Sequence, residues 1–207
     1  EYEDLLIGNP IFRARTRGVG AISLDEAIDW GVTGPNLRAC GFEWDFRKKR
    51  PYSDYDQFDF EVPTADGGDC FARAAVRFEE IRQSLRIIRQ AAENMPAGNY
   101  IADDHMSMPP SRDETMVNIE TLIHHFVGVS WGFTIPAGEA HAGIEAPKGN
   151  NGYYIVADGG TSPYRLRIRT PSFAHMQILP QLSRGSLIAD LITILGSIDY
   201  VLADIDR

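Results

Sequence analysis

The sequence has 207 residues, 43% hydrophobic and 24% charged, which fits one globular domain, or at most two small ones, and excludes a disordered chain. Its formal net charge of −9 makes nucleic acid a poor partner, because nucleic-acid-binding domains carry a basic footprint. Two cysteines, Cys40 and Cys70, exclude a disulfide scaffold and a four-cysteine metal site, and the longest apolar stretch, 187–195, is far shorter than a membrane span.

The first third of the chain predicts short helices followed by an ordered loop. The chain opens with Glu1 and no methionine, so we expect that a leading segment has been removed or that the chain is part of a longer polypeptide. Residues 1–7 have the pattern of a helix end that the following Gly-Asn-Pro stops. A capping box at Ser23 and Glu26 predicts the next helix start. The aromatic-rich segment 31–68 lacks helical periodicity and predicts an irregular but packed excursion.

The middle of the chain predicts two longer helices. The first begins after Asp69, and its apolar residues recur at the spacing of one helical face. Arginines alternate with glutamates around its other side, which favours a solvated, salt-bridged face over a phosphate site. The second helix begins at the capping box of Ser111 and Glu114 and extends to Phe126. The arginines on this other side are Arg77, Arg82, Arg86 and Arg89.

In the remaining third, the helical pattern gives way to the apolar–polar alternation of strands and then returns to a helical pattern. Short strands are predicted at about 139–144, 152–157 and 165–170, with a turn at 149–152, and together they form a small antiparallel meander. From about Leu179 the chain is helical and nearly apolar all round, which predicts burial in a large core or against another subunit. The fold class is therefore α+β, helix-dominated with a small antiparallel sheet.

Common catalytic motifs are absent from the sequence. His124 and His125 are adjacent on a predicted helix, so they point about 100° apart and cannot easily share a metal. No zinc-protease, nucleophile-elbow, dinucleotide or P-loop pattern is present. The other three histidines, which are predicted to be hydrogen-bonded structural residues, are His105, His141 and His175. We therefore predict no catalytic residue and no metal ligand.

Two segments carry charges in functionally suggestive positions. Glu145 and Lys148 flank an Ala-Pro pair at a strand end, where proline fixes the backbone; the alternative is a surface ion pair worth under ~1 kcal/mol. The C-terminal segment 196–207 places three acids and a terminal Arg207 directly after the apolar helix. Its hydrophobic character predicts a docked tail, although the last residues of a chain are usually frayed.

These segments resemble the D subunit of the bacterial proton-pumping NADH:quinone oxidoreductase, respiratory complex I. The resemblance covers essentially the whole chain, 1–207, and implies the C-terminal half of that subunit, without its N-terminal half, in the branch where the C and D subunits are fused into one polypeptide. The matching segments are Gly8-Asn9-Pro10-Ile11-Phe12, Gly34-Pro35-Asn36-Leu37-Arg38-Ala39, Gly67-Gly68-Asp69-Cys70, Glu145-Ala146-Pro147-Lys148-Gly149, Ser183-Arg184-Gly185 and Asp206-Arg207.

A more distant resemblance connects the chain to the large subunit of nickel–iron hydrogenases, and implies the fold of the C-terminal half of that subunit. Those enzymes end in Asp-Pro-Cys-x-x-Cys-x-x-His, and the three ligand positions fall here on Val201, Asp204 and Arg207. Valine cannot ligate a metal, and a soft metal pair prefers thiolates. The resemblance therefore implies a hydrogenase-like scaffold that has lost its metal site.

The resemblance implies a contribution to the quinone-reduction cavity, which lies between this subunit and an iron–sulfur neighbour. It assigns quinone-pocket or tail-positioning roles to Asp199, Val201 and Arg207, and to Lys148 with Glu145 as its partner. Such a pocket needs apolar walls and a few polar groups. Quinone would be the substrate, the iron–sulfur cluster would belong to the neighbouring subunit, and this chain would bind no cofactor of its own.

The resemblance also implies partners and a location. The partners would be the iron–sulfur subunit of the quinone module, the C subunit and the membrane-arm subunits, at the cytoplasmic side of the bacterial inner membrane, with no transmembrane segment in this chain. The isolated chain is predicted to be inactive. Two alternatives stay open. The first is a structural or assembly module without quinone contact, in which the aromatic loop and the arginine-bearing sheet dock partners. The second is a fragment of a nickel–iron hydrogenase, and the missing cysteine pair argues against it.

Overall fold

The computed structural model describes residues 2–101 and 108–206. The chain divides into two compact units, of which the first contains the residues up to 94, 142–152 and the residues from 168 onward. The second unit contains residues 95–141 and 153–167. Among the described residues, no helix combines the length and apolar character that crossing a membrane requires.

The helices of the first unit are mostly short. In chain order they are α1 (Tyr2–Leu6), α2 (Pro10–Thr16), α3 (Leu24–Asp29), α4 (Pro35–Arg38), α5 (Phe46–Lys49), α6 (Cys70–Glu93), α9 (Pro171–Gln177), α10 (Leu179–Leu182), α11 (Ile188–Ile198) and α12 (Leu202–Ile205). The second unit contains α7 (Arg112–Val117) and α8 (Ile119–Trp131). The predicted helix-dominated α+β class is confirmed.

Local capping explains where the first helices begin. The predicted capping box at the start of α3 is confirmed, since Ser23 Oγ accepts from the Glu26 N–H and the Glu26 carboxylate accepts from the Ser23 N–H. The predicted N-cap of α6 is also confirmed, because Asp69 accepts from the Ala72 N–H at 2.8 Å. The segment 31–68 is ordered as expected, but it contains α4, α5 and a 3-10 turn at Tyr55–Gln57.

The core of the first unit lies between the beginning of α6 and the C-terminal helices. Its members are buried apolar residues from α3 to α11 that contact one another directly: Ala27, Val32, Leu37, Cys70, Ile178, Leu182, Ile194 and Ile198. Only the first turns of α6 contribute to this burial, and Ile81, Leu85 and Ile88 further along the helix are exposed. The core therefore fixes α11 against the beginning of α6.

The single helix predicted from Ser111 is wrong, because the helix is interrupted at Asn118. Asn118 has extended backbone angles and serves both as the C-cap of α7 and as the N-cap of α8. Its side chain accepts from the Glu120 N–H at 2.9 Å. A short polar side chain that bonds its neighbouring backbone competes with helix continuation.

The three strands are β1 (Gly138–Ala146), β2 (Gly149–Ala157) and β3 (Arg165–Arg169), in the order β1-β2-β3 in one antiparallel sheet. The predicted turn at 149–152 is wrong: the chain reverses at Pro147 and Lys148, and the glycine- and asparagine-rich segment lies inside β2. The Asn150 N–H donates to Thr33 Oγ1 at 3.1 Å, which holds this segment extended.

The apolar C-terminal stretch forms two helices, α10 and α11, where one was predicted. Ile194 and Ile198 of α11 are buried, whereas Ile188 and Ile192 are 87% and 73% exposed. The prediction that this helix is buried on most sides within the chain is therefore wrong for the described residues. The alternative expectation, burial against another subunit, stays a prediction.

Candidate functional site

Segments that are distant in sequence meet in the first unit. The loop before α4 contacts the β1–β2 hairpin so closely that a Cβ added to Gly34 would lie 2.4 Å from the Cα atom of Gly149. Gly34 also has a φ of 66°, a conformation that L side chains rarely adopt. Glycine at position 34 therefore allows the Gly-Pro-Asn-Leu-Arg segment to lie directly against the hairpin.

The hairpin is joined to the C-terminal tail by an ion pair. Nζ of Lys148 contacts Oδ1 of Asp199, which follows the last residue of α11. Glu145 was predicted to be the partner of Lys148, and this is wrong. Glu145 instead binds Arg38 at 2.8 Å and accepts from the Phe46 N–H at 3.3 Å. A buried guanidinium and a backbone donor satisfy this carboxylate better than the partly exposed ammonium would.

Arg38 is the centre of a buried charge cluster. Its side chain is 2% exposed and donates to Glu80 at 2.7 Å and to Glu145 at 2.8 Å. A further Arg38 donor binds the Trp44 carbonyl at 2.9 Å, and Asp45 lies 3.9 Å away. Burial raises the pKa of both Glu80 and Glu145, although Arg38 opposes this rise. The cluster fixes the strand end that precedes Lys148.

His175 lies beneath the site and is 1% exposed. The Asn36 amide donates to its Nδ1 at 3.1 Å, and its Nε2 lies 3.1 Å from the Thr33 carbonyl oxygen and 3.3 Å from the Thr33 backbone nitrogen. Burial lowers the pKa of His175 to about 4, and the neutral ring is the form that fits these partners. The predicted structural role of His175 is confirmed, whereas His105 lies outside the described residues.

The tail after α11 is docked up to Asp206. The Val201 N–H donates to Ser172 Oγ at 3.2 Å, and Ser172 Oγ donates to the Asp204 carboxylate at 2.9 Å. Thr170 Oγ1 also donates to the Asp204 carbonyl at 2.6 Å. The predicted docking is therefore confirmed for this part of the tail, while Arg207 lies outside the described residues.

The site residues differ in exposure. Val201, two residues after Asp199, is 40% exposed although its backbone N–H is held, so part of its apolar surface is accessible. Asp199 also borders a groove of about 450 Å³ in the first unit. The groove is lined by Phe12, Thr16, Cys70, Ala74, Arg77, Phe78, Thr193, Gly196, Ser197 and Asp199. Within residues 2–101 and 108–206, no group of three or more metal-ligating side chains comes together.

The sequence does not reveal several residues that organise the site. Arg38 and Asn36 belong to a motif that identified the family resemblance, but the motif alone does not show which side chains are buried. Arg77 was interpreted as part of a solvated arginine stripe, and this is wrong for Arg77. It donates to Asn36 and to the Ile198 carbonyl, whereas Arg82 and Arg86 of the same stripe form exposed ion pairs.

Comparisons with known proteins match this chain over its whole length and point to one family. The family model described as the 49 kDa subunit of respiratory-chain NADH dehydrogenase matches residues 1–207. A protein of Nitrosospira multiformis, named as the C/D subunit of NADH-quinone oxidoreductase, is 66% identical over 207 residues, 100% of this chain and 34% of the relative. Proteins of the same name from Gluconacetobacter diazotrophicus and Acidiphilium cryptum are 62% and 60% identical, over 34% and 35% of their own lengths. The chain thus spans about a third of the length of these curated relatives.

Proposed function

Since the chain belongs to the family of the 49 kDa subunit of respiratory-chain NADH dehydrogenase, we propose that it forms part of the quinone-reduction cavity of a proton-pumping NADH:quinone oxidoreductase. Electrons pass to quinone from an iron–sulfur cluster of a neighbouring subunit. The observation that carries the proposal is the Lys148–Asp199 ion pair, which joins the two segments with the predicted quinone-site residues.

The arrangement around this ion pair suits a quinone. A quinone ring needs apolar walls, and its carbonyl oxygens need a small number of polar groups that orient them. Val201 supplies exposed apolar surface two residues after Asp199, and the nearby groove combines aromatic walls with Arg77 and Asp199. The neighbouring iron–sulfur subunit would close the cavity over this surface.

The roles of these residues are positional and electrostatic. Lys148 and Asp199 hold the hairpin and the tail together, and Glu145, three residues before Lys148, holds the end of β1 through Arg38. None of them forms a covalent intermediate in this proposal, and Arg207 acts with them at the end of the tail. The isolated chain is inactive because the electron donor belongs to another subunit.

The partners and the location follow from the same proposal. The chain assembles with the iron–sulfur subunit of the quinone module, with the C subunit and with membrane-arm subunits, at the cytoplasmic side of the bacterial inner membrane. Its position as the C-terminal half of the D subunit remains a prediction.

A second candidate is an assembly module of the same complex without quinone contact. The observation that favours it is the apolar surface of α8, where Phe126, Val129 and Trp131 are 64%, 72% and 75% exposed. A surface of this kind is typical of a protein interface. The two candidates differ in whether the tail affects quinone kinetics.

Replacing Val201 with methionine should raise the KM for quinone by about three-fold or more, because the longer side chain narrows the proposed cavity. The measurement is steady-state NADH:quinone reductase activity of the assembled complex, with the quinone concentration varied. NADH oxidation by ferricyanide, a hydrophilic acceptor that does not need the quinone cavity, should stay unchanged.

The matched control for this change is Val117→Met, at a side chain that is 86% exposed in the second unit. It should leave both activities unaltered. If Val201→Met changes neither the KM for quinone nor inhibitor sensitivity, the assembly-module candidate is favoured and the cavity proposal is wrong.

A further inference from the structure

We propose that Arg77 is a positioning residue for quinone reduction, because it fixes the Asp199 carboxylate against Lys148 and thereby sets the direction in which the tail carrying Val201 leaves α11. The inference rests on the proposed function and adds to it a residue from α6.

The Arg77 guanidinium contacts three separate parts of the first unit. Nη1 donates to the Arg73 carbonyl at 3.0 Å, which fixes the side chain along its own helix. Nη2 donates to Asn36 Oδ1 at 2.9 Å and to the Ile198 carbonyl at 3.2 Å. Nε lies 3.5 Å from Asp199 Oδ2. One side chain therefore connects α6, α4 and the end of α11.

The contact at Ile198 stabilises the end of a helix. The last carbonyl groups of a helix have no partner within the helix itself. The Ile198 carbonyl accepts from Asn36 Nδ2 at 3.0 Å as well as from Arg77 Nη2 at 3.2 Å, so two donors use its two lone pairs. Asn36 is in turn oriented by His175. The backbone carbonyl immediately before Asp199 is therefore fixed on two sides.

Asp199 occupies a conformation that needs such support. Its φ of 56° and ψ of 61° lie in the left-handed region, where glycine or asparagine is the usual helix C-cap. A carboxylate has one advantage here, because its two oxygens bind two different cations. Oδ1 contacts Lys148 of the hairpin and Oδ2 faces Arg77 of α6. The orientation of the side chain is thus set from both sides.

The Arg77 side chain is specific for this task. Among the described residues its buried Nε has no hydrogen-bond partner, and the Asp199 carboxylate lies within ion-pair distance at 3.5 Å. A lysine would retain the positive charge but would lose the planar arrangement of donors that reaches Asn36, Ile198 and Asp199 together. Since Val201 follows Asp199 by two residues, rotation of Asp199 would displace the proposed wall of the cavity.

The test uses the assembled NADH:quinone oxidoreductase carrying Arg77→Met or Arg77→Lys, with Arg82→Met as the matched control from the exposed side of α6. We expect Arg77→Met to raise the KM for quinone by about three-fold or more, with kcat changed less than KM. Arg77→Lys should recover part of this loss. Arg82→Met should leave the KM for quinone unchanged, and all three variants should oxidise NADH with ferricyanide at the unmodified rate.

The outcomes separate this inference from the proposed function. If Val201→Met raises the KM for quinone and Arg77→Met does not, the positioning role is overturned and the cavity proposal stands. If neither variant affects the KM for quinone, both are overturned. Equal losses of the ferricyanide and quinone activities would indicate a merely structural role and would also overturn the inference. If the complex does not assemble with Arg77→Met, the Arg77→Lys variant is the test. An unchanged KM for quinone in that variant contradicts the positioning role of Arg77.

Discussion

Replacing Arg38 with methionine is expected to lower the free energy of unfolding by about 3–5 kcal/mol, the usual cost of removing one partner from a buried ion pair. Arg38 is 2% exposed and binds Glu80 and Glu145, whose side chains are 17% and 3% exposed. Without the guanidinium, both carboxyl groups would remain in a poorly solvated site. They would have to take up protons or draw in water.

Urea titration of the purified chain, followed by tryptophan fluorescence, measures this effect. Arg82→Met is the matched control, because it removes an arginine from exposed ion pairs and should cost less than ~1 kcal/mol. A loss below ~1 kcal/mol for Arg38→Met would contradict the account, since it would mean that the carboxylates do not depend on Arg38.

Acidification from pH 7 to 4 is expected to remove about 3 kcal/mol of stability through His175 alone. Burial lowers the pKa of His175 to about 4 in the folded chain, against an ordinary value near 6.5. Below pH 6.5 the unfolded chain therefore binds a proton that the folded chain does not bind. Stability falls over this window and stops falling once the pH is below the folded pKa.

Burial raises the pKa of Glu80 and Glu145, so these two groups increase the free energy of unfolding as the pH falls and oppose the effect of His175. The His175 contribution is therefore isolated by comparing the unmodified chain with His175→Gln at each pH. The free energies of unfolding of the unmodified chain and of His175→Gln should converge as the pH falls from 7 to 4. A constant difference for His175→Gln would show that the ring is not held neutral.

The parts of the fold that depend on local chemistry were predictable from the sequence. Capping residues such as Ser23 and Asp69 mark helix starts because their side chains bond backbone groups only two or three residues away. The same local chemistry at Asn118 was overlooked, since the apolar periodicity continues across the break between α7 and α8. Periodicity indicates which face is apolar, but it does not show whether the backbone is continuous.

The candidate site was only partly predictable, because its contacts join distant segments. The tail and the hairpin could be selected from the sequence as candidate segments, and the structure joins them through Lys148 and Asp199. The pairing of Glu145 could not be inferred from its proximity in sequence to Lys148, since Arg38 lies 107 residues away along the chain. Burial of charged side chains depends on tertiary packing, and a single sequence does not record it.

Photolabelling of the assembled oxidoreductase with an azidoquinone, followed by mass spectrometry of the modified peptides, shows whether this chain contacts quinone. We expect label on the tail that carries Asp199 and Val201, or on the hairpin that carries Lys148, and we expect excess unmodified quinone to remove this label. Competable label confined to other subunits, with none on either segment, would contradict the claim that this chain forms part of the quinone-reduction cavity.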